Sequence, residues 1–436
     1  MIGLTLGLAA GVAAIGIPLG VAIIGGVIVG YAIYDPAQLA GIPSTLFNSV
    51  NDPNLVAVPL FILAGALVAD SGLIDPLVAL IARALRRLRG GLALTGIATG
   101  VFFAGSTGST AGEAATIARA LDAPLTARGY DRAFTGAVVA AAASLGVLFP
   151  PSLTLIIFAS IVQYPVNELW LAGIVPGLVA AALLAFTAVL LGRGQELPLR
   201  QTTGKGEPGP GAGATSGRAG LEPLPLLILR TLPALVMPVL VMGGVYSGIL
   251  TVSETAAVLL GYVVLYGMIS RRNSPKAIAR SFVSGCEMAG MVFLVLAAAH
   301  VLSLLLVQSG VATNVVNAVA KSGLGKYAIL LVVNGLLLVL GTLMDGLSAM
   351  IIATPILYPL LIALGLSPVH IAVMLTVNIE IGVVHPPVGM NLVAVSGVTG
   401  VSIGSMAWRV LPFIGVLLFV LAAVTYGPFI GLDWLH

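Results

Sequence analysis

The sequence predicts an all-α polytopic membrane protein with two inverted-topology repeats, each with a re-entrant helical hairpin and a helix broken at two adjacent prolines. Of its 436 residues, 59% are hydrophobic and only 8% are charged, whereas a soluble domain carries about 25% charged residues. Many apolar runs approach or exceed the roughly 20 residues that a helix needs to cross a bilayer. A polar element with two adjacent prolines also occurs twice, at 144–155 and 378–391. Alternating segments of about ten residues, typical of outer-membrane barrels, are absent from the sequence.

The first repeat covers residues 1–191. Residues 2–34 are apolar and uncharged, and their length fits either one kinked span or two short elements. Residues 35–54 are polar and rich in turn formers, so they belong at a surface. A further span at 56–69 leads to a cluster of arginines, which marks the cytoplasmic side. The cluster consists of Arg83, Arg86, Arg87 and Arg89.

A re-entrant hairpin is predicted at 92–122, facing inside. Its two short apolar arms flank a glycine- and hydroxyl-rich tip at 105–110. Because arginines flank both ends, both ends lie inside and the tip lies at membrane depth, where irregular backbone must be packed or line a cavity. The next helix, 134–162, breaks at Pro150 and Pro151, since proline cannot donate a backbone hydrogen bond.

A glycine-rich linker at 192–223 separates the repeats, and its composition is typical of a flexible loop, here a cytoplasmic one. The second repeat covers 224–436. It begins with a span at 224–246, followed by a turn in which Ser253 is a plausible helix N-cap. The span at 255–269 returns to a second basic cluster, formed by Arg271, Arg272, Lys276 and Arg280.

A second hairpin is predicted at 327–363, with its tip at 341–346, and the helix count makes it face outside. A helix then breaks at Pro386 and Pro387 before the last span at 406–424. Equivalent residues of the two halves are 236 positions apart: Gly105 and Gly341, Ser109 and Asp345, Gly146 and Gly382, Pro150 and Pro386. Broken helices in such an inverted repeat typically mark a transport site.

Both tips and both breaks leave backbone groups unpaired at membrane depth. Carbonyls at the carboxyl ends of half-helices suit a small hard cation such as sodium, and amides at the amino ends suit a carboxylate. Hydroxyls of Ser106, Ser109 and Thr342 add ligands, and neighbouring glycines permit close backbone approach. The alternative is that these small residues serve only helix packing; two tips and two breaks in register favour function.

Acidic residues in apolar surroundings are functional candidates, since a charge at bilayer depth costs at least about 2.5–3.5 kcal/mol. Asp345 is either a cation ligand or a helix cap, and Glu254 is expected to be a cap. Glu380 is expected to pair within the transport domain, and Glu113 to cap its hairpin arm or face the substrate. His385 and His300 are read as polar members of the core.

The sequence gives no support for an enzyme. It has no metal-ligand spacing of histidine and cysteine, no P-loop of an ATP-driven pump and no nucleophile–base pair. Its net charge of +3 comes mostly from basic loop residues, which indicates topology and not a nucleic-acid partner. We therefore expect a non-enzymatic protein that contacts membrane lipid.

Several motifs resemble those of one known family. The second half contains Met344, Asp345 and Gly346, then Asn378, Glu380, Ile381 and Gly382, then Pro386, Pro387, Val388, Gly389, Asn391 and Leu392. The first half contributes the stretches 59–65, 105–110, 128–131 and 146–151. Together they resemble the large membrane (M, DctM-type) subunit of TRAP transporters, in the ion transporter superfamily. Departures from its pattern include Leu250 and Val252 in the turn at 248–254, and His385 in place of a common threonine.

The resemblance implies a sodium-coupled importer of an organic acid in a bacterial-type cytoplasmic (inner) membrane. It also implies an elevator-type mechanism, in which the hairpins and broken helices move as a rigid transport domain against a scaffold. The implied partners are a small four-helix membrane subunit and an extracytoplasmic solute-binding protein. Sodium site 1 is expected at Ser106, Ser109, Gly146, Val147 and Pro150. Sodium site 2 is expected at Gly341, Thr342, Asp345, Gly382, Val383 and Pro386. The carboxylate substrate is expected at Gly105, Thr107, Ser152, Met344 and Asn391.

Two alternatives stay open at this point. A self-sufficient carboxylate transporter of the dicarboxylate or citrate type would need no binding protein. A membrane-embedded enzyme or a structural subunit of a redox complex would carry charged relays or cofactor ligands within its spans, and the sequence lacks them. The identity of the organic acid and the sodium stoichiometry do not follow from the residues.

Overall fold

The structure is a computed structural model that describes residues 2–85, 88, 90–103, 109–126, 130–192, 223–270, 275–310 and 323–430. Within these ranges the regular secondary structure is helical, without strands. Eight helical segments of the described chain are long and apolar enough to cross a membrane. The predicted class, an all-α polytopic membrane protein, is therefore confirmed.

The first half forms ten helices in the described ranges. They are α1 (Ile2–Ala14), α2 (Leu19–Tyr34), α3 (Ile42–Val50), α4 (Ala57–Ser71), α5 (Asp75–Leu85), α6 (Gly91–Phe103), α7 (Thr110–Thr126), α8 (Arg132–Ala143), α9 (Leu153–Val162) and α10 (Val166–Gly192). The apolar N-terminal region is thus two helices. The chain turns between them at Gly16, whose φ of +91° suits glycine, and Pro18 precedes α2.

The second half forms eight helices in the described ranges. They are α11 (Leu224–Tyr246), α12 (Val252–Ser270), α13 (Pro275–Gln308), α14 (Lys326–Leu343), α15 (Gly346–Ala363), α16 (Pro368–Gly382), α17 (Met390–Thr399) and α18 (Ile403–Tyr426). The helix pairs α6–α7 and α14–α15 fall on the two hairpin sequences. The pairs α8–α9 and α16–α17 fall on the two sequences with adjacent prolines.

The expected N-cap of α12 is wrong. Thr251 caps this helix together with Glu254, because the Thr251 N–H and hydroxyl donate to Glu254 Oε2 over 2.8 and 2.9 Å. In return, the Glu254 N–H donates to Thr251 Oγ1 over 3.2 Å. This reciprocal pair is a capping box, and it confirms Glu254 as a cap. Ser253 instead donates its hydroxyl to the Pro53 carbonyl over 2.8 Å.

The two halves of the chain share one hydrophobic core. Helix α17 of the second half packs against α7 and α8 of the first half, α15 packs against α9, and α18 packs against α8. Each broken helix is therefore enclosed partly by the other half. This interlocking brings the two tips and the two breaks into one region of the molecule.

A smaller core attaches the N-terminal helices. Helices α2 and α3 pack against α13, and α1 packs against α2. Val27, Tyr31, Val301 and Leu305 belong to the buried apolar cluster of this region. The Tyr31 hydroxyl donates to Gln308 Oε1 over 2.7 Å at the end of α13. The N-terminal helices therefore lie on the outside of the bundle, away from the broken helices.

Candidate functional site

A small cavity lies where the two tips and the two breaks meet. Its volume is about 30 Å³, and its lining comes from all four elements. The sequence-predicted residues in the lining are Ser109, Val147, Asp345 and Val383. Since one water needs about 10–15 Å³, the cavity holds roughly two water-sized species. A small ion fits this space, and an organic acid does not.

The two breaks share their hydrogen bonding in register. In the first break, the Phe149 N–H donates to the Gly146 carbonyl over 3.2 Å. In the second, the His385 N–H donates to the Gly382 carbonyl over 3.0 Å. Both pairs are 236 positions apart in the sequence. The same local turn therefore ends α8 and α16, as the repeated sequence element predicts.

The predicted residues of the first half have distinct positions. Gly146 and Val147 lie in a buried 3-10 turn, Gly146–Leu148. Ser152 is buried and caps α9, accepting from the Leu155 N–H over 3.3 Å. The Ser152 carbonyl accepts from the indole N–H of Trp170 over 3.2 Å. These bonds fix the start of the second half-helix.

The remaining predicted residues of the first half lie elsewhere. Pro150 lines a second, larger cavity on another side of the break. Gly105, Ser106 and Thr107 lie outside the described residues, so their assignments stay predictions. Of the predicted first tip, Ser109 and Thr110 are described, and both line the small cavity. The Ser109 hydroxyl accepts from the Gly112 N–H over 3.4 Å.

The second tip is held against the second break by close backbone contact. An added β-carbon at Gly341 would lie 2.9 Å from the Ile379 carbonyl oxygen and 3.0 Å from the Gly382 α-carbon. The next residue, Thr342, is buried. Its hydroxyl lies 2.9 Å from the Leu338 carbonyl and 2.8 Å from that of Val339. The Thr342 oxygen keeps lone pairs beyond that donated bond.

Asp345 is an N-cap in the structure. It precedes α15 and accepts from the Ser348 N–H over 3.0 Å and from the Ser348 hydroxyl over 2.6 Å. The helix-cap reading is therefore confirmed. A carboxylate has about four lone-pair sites, so this cap leaves room for a further ligand. Met344, the residue before it, is extended and partly exposed at the tip.

Two buried carboxylates line the small cavity beside Asp345. Glu113 is 1% exposed and Glu380 is 3% exposed, and both belong to the lining. Neither oxygen of the Glu380 carboxylate accepts a hydrogen bond from any described residue. Within the described ranges, no three side chains of His, Cys, Asp and Glu are grouped to hold a metal ion. A cation here would therefore depend on backbone and hydroxyl oxygens as well.

Asn391 connects the two broken helices. Its side chain is fully buried, and Nδ2 donates to the Ala140 carbonyl of α8 over 3.2 Å. Its own N–H donates to the Val383 carbonyl over 3.0 Å. Asn391 does not line the small cavity, and neither does Pro386, which is partly exposed. His300 contacts the Leu296 carbonyl through Nδ1 at 3.0 Å, in keeping with a polar core residue.

A buried network of amide side chains is not among the sequence predictions. Asn378 of α16 donates through Nδ2 to Asn334 Oδ1 over 2.7 Å and to the Asn334 carbonyl over 3.0 Å. Asn334 of α14 donates in turn to Thr425 Oγ1 of α18 over 3.1 Å. The sequence contains a signal for this network, because Asn334 is an amide inside an apolar hairpin arm. Such residues typically form hydrogen bonds between helices in membranes.

Comparison with known proteins identifies the family. A family model described as "Tripartite ATP-independent periplasmic transporter, DctM component" matches residues 6–430. The chain belongs to the DctM family. As a DctM protein it is the large permease component of a secondary transporter in the cytoplasmic membrane, and the family is not one of enzymes.

Individual relatives agree with this membership. The chain is 29% identical over 411 residues to the C4-dicarboxylate TRAP transporter large permease protein DctM of Pseudomonas aeruginosa, covering 92% of both chains. It is 34% identical over 385 residues to the isethionate TRAP transporter permease protein DctMQ of Oleidesulfovibrio alaskensis, covering 88% of this chain and 58% of that one.

A solved structure shares the fold. The YdaH transporter of Alcanivorax borkumensis superposes with a TM-score of 0.66 at 18% sequence identity, covering 92% of this chain and 91% of that chain. The DctM chain therefore has the fold of a membrane transporter.

Proposed function

We propose that this DctM protein imports an organic anion driven by sodium, together with a small membrane subunit and an extracytoplasmic binding protein. The main support for this proposal is the small cavity at which both tips and both breaks converge. Its volume suits ions, and its position between four half-helix ends is typical of secondary-transport sites.

The oxygen donors around this cavity support sodium as the coupling ion. Ser109 and Val147 of the first half line the cavity, together with Asp345 and Val383 of the second half. Hydroxyl, carbonyl and carboxylate oxygens are hard ligands that suit a hard cation. Sodium would also offset negative charge on Glu113 and Glu380, which both line this cavity in surroundings of low dielectric.

The substrate class is proposed from the relatives and the helix ends. Relatives are named for C4-dicarboxylate, isethionate and sialic acid, which are all organic anions. Half-helix amino ends at α9 and α15 provide N–H groups that favour an anion. Because the cavity holds roughly two water-sized species, the tips separate to admit the organic acid.

An elevator motion is proposed for the transport step. The moving body consists of the hairpins and broken helices, α6–α9 and α14–α17, with α10 and α18 packed onto them. The helices α1–α5 and α11–α13 form the scaffold. Close packing between Gly341 and Gly382 supports movement of the second tip and second break as one body.

The test is sodium-driven uptake in liposomes containing the chain, its small subunit and its binding protein. Asp345→Asn retains a capping side chain but removes the charge, and we expect loss of sodium-driven uptake. Asp345→Ala and Ser106→Ala are expected to abolish uptake while the protein stays folded. Ser348→Ala is the matched control, because it removes a partner of the Asp345 cap and keeps the carboxylate.

The outcomes separate the alternatives. Unchanged uptake kinetics in both Asp345→Ala and Ser106→Ala would refute the ion-site assignments. Uptake by this chain alone, without the binding protein, would favour the self-sufficient transporter. Uptake that is independent of sodium in the wild-type complex would refute sodium coupling itself.

A further inference from the structure

A second cavity lies on another side of the first break. Its volume is about 300 Å³, and it is enclosed by α4, α5, α6, α10, α11, α12 and the residues around Pro150. Every side chain in its lining is apolar, including Phe102, Phe149, Met237 and Met242. The cavity therefore separates helices proposed as scaffold from helices proposed as moving body.

The side chains of this lining offer no charged or polar partner to a transported anion. A charged or polar group without a partner is costly in an apolar environment, and no lining side chain offers one. The volume is at the lower end of the range for ligand pockets, about 300–1,000 Å³. An apolar ligand of moderate size is the class that fits.

The cavity borders exposed apolar surface of the protein. Phe102, one of its lining residues, is 46% exposed. On α11, Pro238 and Met242 line the cavity, while their neighbour Val239 is 69% exposed on an apolar spanning helix. Lipid lies against such a surface in the membrane. Acyl chains of the bilayer therefore lie beside helices that line the cavity.

We propose that this cavity binds one acyl chain of a membrane phospholipid. An empty cavity leaves its lining atoms without van der Waals partners, and an acyl chain from the adjoining bilayer supplies them. The flexible thioethers of Met237 and Met242 adapt to an irregular chain. The chain then contacts Phe149 and Pro150 at the break and bridges them to α11.

The test uses a phosphatidylethanolamine with a photoactivatable diazirine on one acyl chain, in nanodiscs containing the full DctM chain. We expect cross-links at Met237 and Met242. Ala234 lines the cavity and is 6% exposed. Ala234→Phe places a ring in the space that the acyl chain would occupy, so we expect it to lower labelling at both methionines by about fivefold or more. Val239→Phe, on the lipid face of the same helix, is expected to leave labelling unchanged.

A second variant and the labelling pattern of the wild-type chain test the same cavity. If Ala234→Phe does not fold, Met242→Trp fills the cavity from α11, with cross-linking read at Met237. Absence of labelling at both methionines in the wild-type chain would overturn the proposal. So would equal labelling in the filled variants. Loss of labelling when the small subunit is added would assign the cavity to a protein helix and would also overturn it. None of these outcomes depends on sodium or substrate.

Discussion

Gly341 and Gly382 pack against each other backbone to backbone. An added β-carbon at Gly382 would lie 2.6 Å from the Gly341 α-carbon and 2.7 Å from the Gly341 carbonyl carbon. Gly341 lies in the last turn of α14, and Gly382 is the last residue of α16. The second tip is therefore clamped to the second break with no side chain between them, and a shift of one must move the other.

The first prediction concerns this glycine contact. Gly341→Ala forces α14 and α16 apart, and we expect a loss of about 1–3 kcal/mol of stability, as in overpacked cores, with impaired uptake. Gly335→Ala is the control on the same helix, since nothing lies within 4 Å of its added β-carbon. Thermal unfolding and liposome uptake measure the difference. Equal stability and equal uptake of the two variants would contradict the conclusion that the Gly341–Gly382 contact holds the second tip to the second break.

The second prediction concerns the buried amides. Asn378→Ala leaves Asn334 without its donor, and Asn334→Ala has the reciprocal effect. We expect the double variant to be less destabilised than the sum of the single variants, with a coupling of about 0.5–1.7 kcal/mol, the range for bonds between membrane helices. The free energies of unfolding of the two single variants and the double variant, compared with the wild type, give this coupling energy. Strict additivity would show that the bond does not couple α14 to α16.

The third prediction separates stability from transport at Glu380. The residue is 3% exposed, and no basic side chain lines its cavity among the described residues. Glu380→Gln replaces a buried carboxyl group, which is costly to ionise at this depth, by a neutral side chain of the same shape, so we expect a thermal midpoint at least as high as that of the wild type and, at the same time, a loss of sodium-driven uptake. The control is Glu287→Gln at an exposed position of α13, expected to change neither. A less stable Glu380→Gln protein would refute the reasoning.

The fourth prediction concerns a polar contact between the proposed scaffold and the moving body. Asp52 Oδ2 accepts from Ser160 Oγ over 3.1 Å and from Gln163 Nε2 over 3.3 Å at the end of α9. Asp52→Ala removes both bonds, each worth about 0.5–1.5 kcal/mol. We expect faster hydrogen exchange at the amide of Tyr164. The neighbouring Asn51→Ala is the control, and equal exchange in both variants would dismiss this contact as a restraint.

Much of the architecture was predictable because hydropathy and proline are local signals. Apolar runs gave the spans, and the adjacent prolines located both breaks. The meeting of Ser109, Val147, Asp345 and Val383 at one cavity agrees with the register of the repeat. Site occupancy by sodium or substrate stays a prediction.

The cap of α12 and the buried amide bonds were harder to predict. The cap required a choice between neighbouring residues, and the amide bonds join residues that are far apart in the sequence. The sequence around the start of α12 offers Ser253 and Thr251 as caps. The spacing of Thr251 and Glu254 is that of a capping box, and this spacing identifies the correct cap. The bonds from Asn378 to Asn334 and from Asn391 to Ala140 join residues 44 and 251 positions apart. No local pattern specifies such partners, because the bundle alone brings them together.

The bond from Asn391 to Ala140 has a consequence for biogenesis. Its two residues are 251 positions apart, and a ribosome adds about 5–20 residues per second. The first broken helix is thus inserted on the order of 10–50 s before its partner exists. During that interval its polar turn lacks the neighbour that encloses it. The surface of the first broken helix that α17 later covers therefore faces other surroundings until the second half is made.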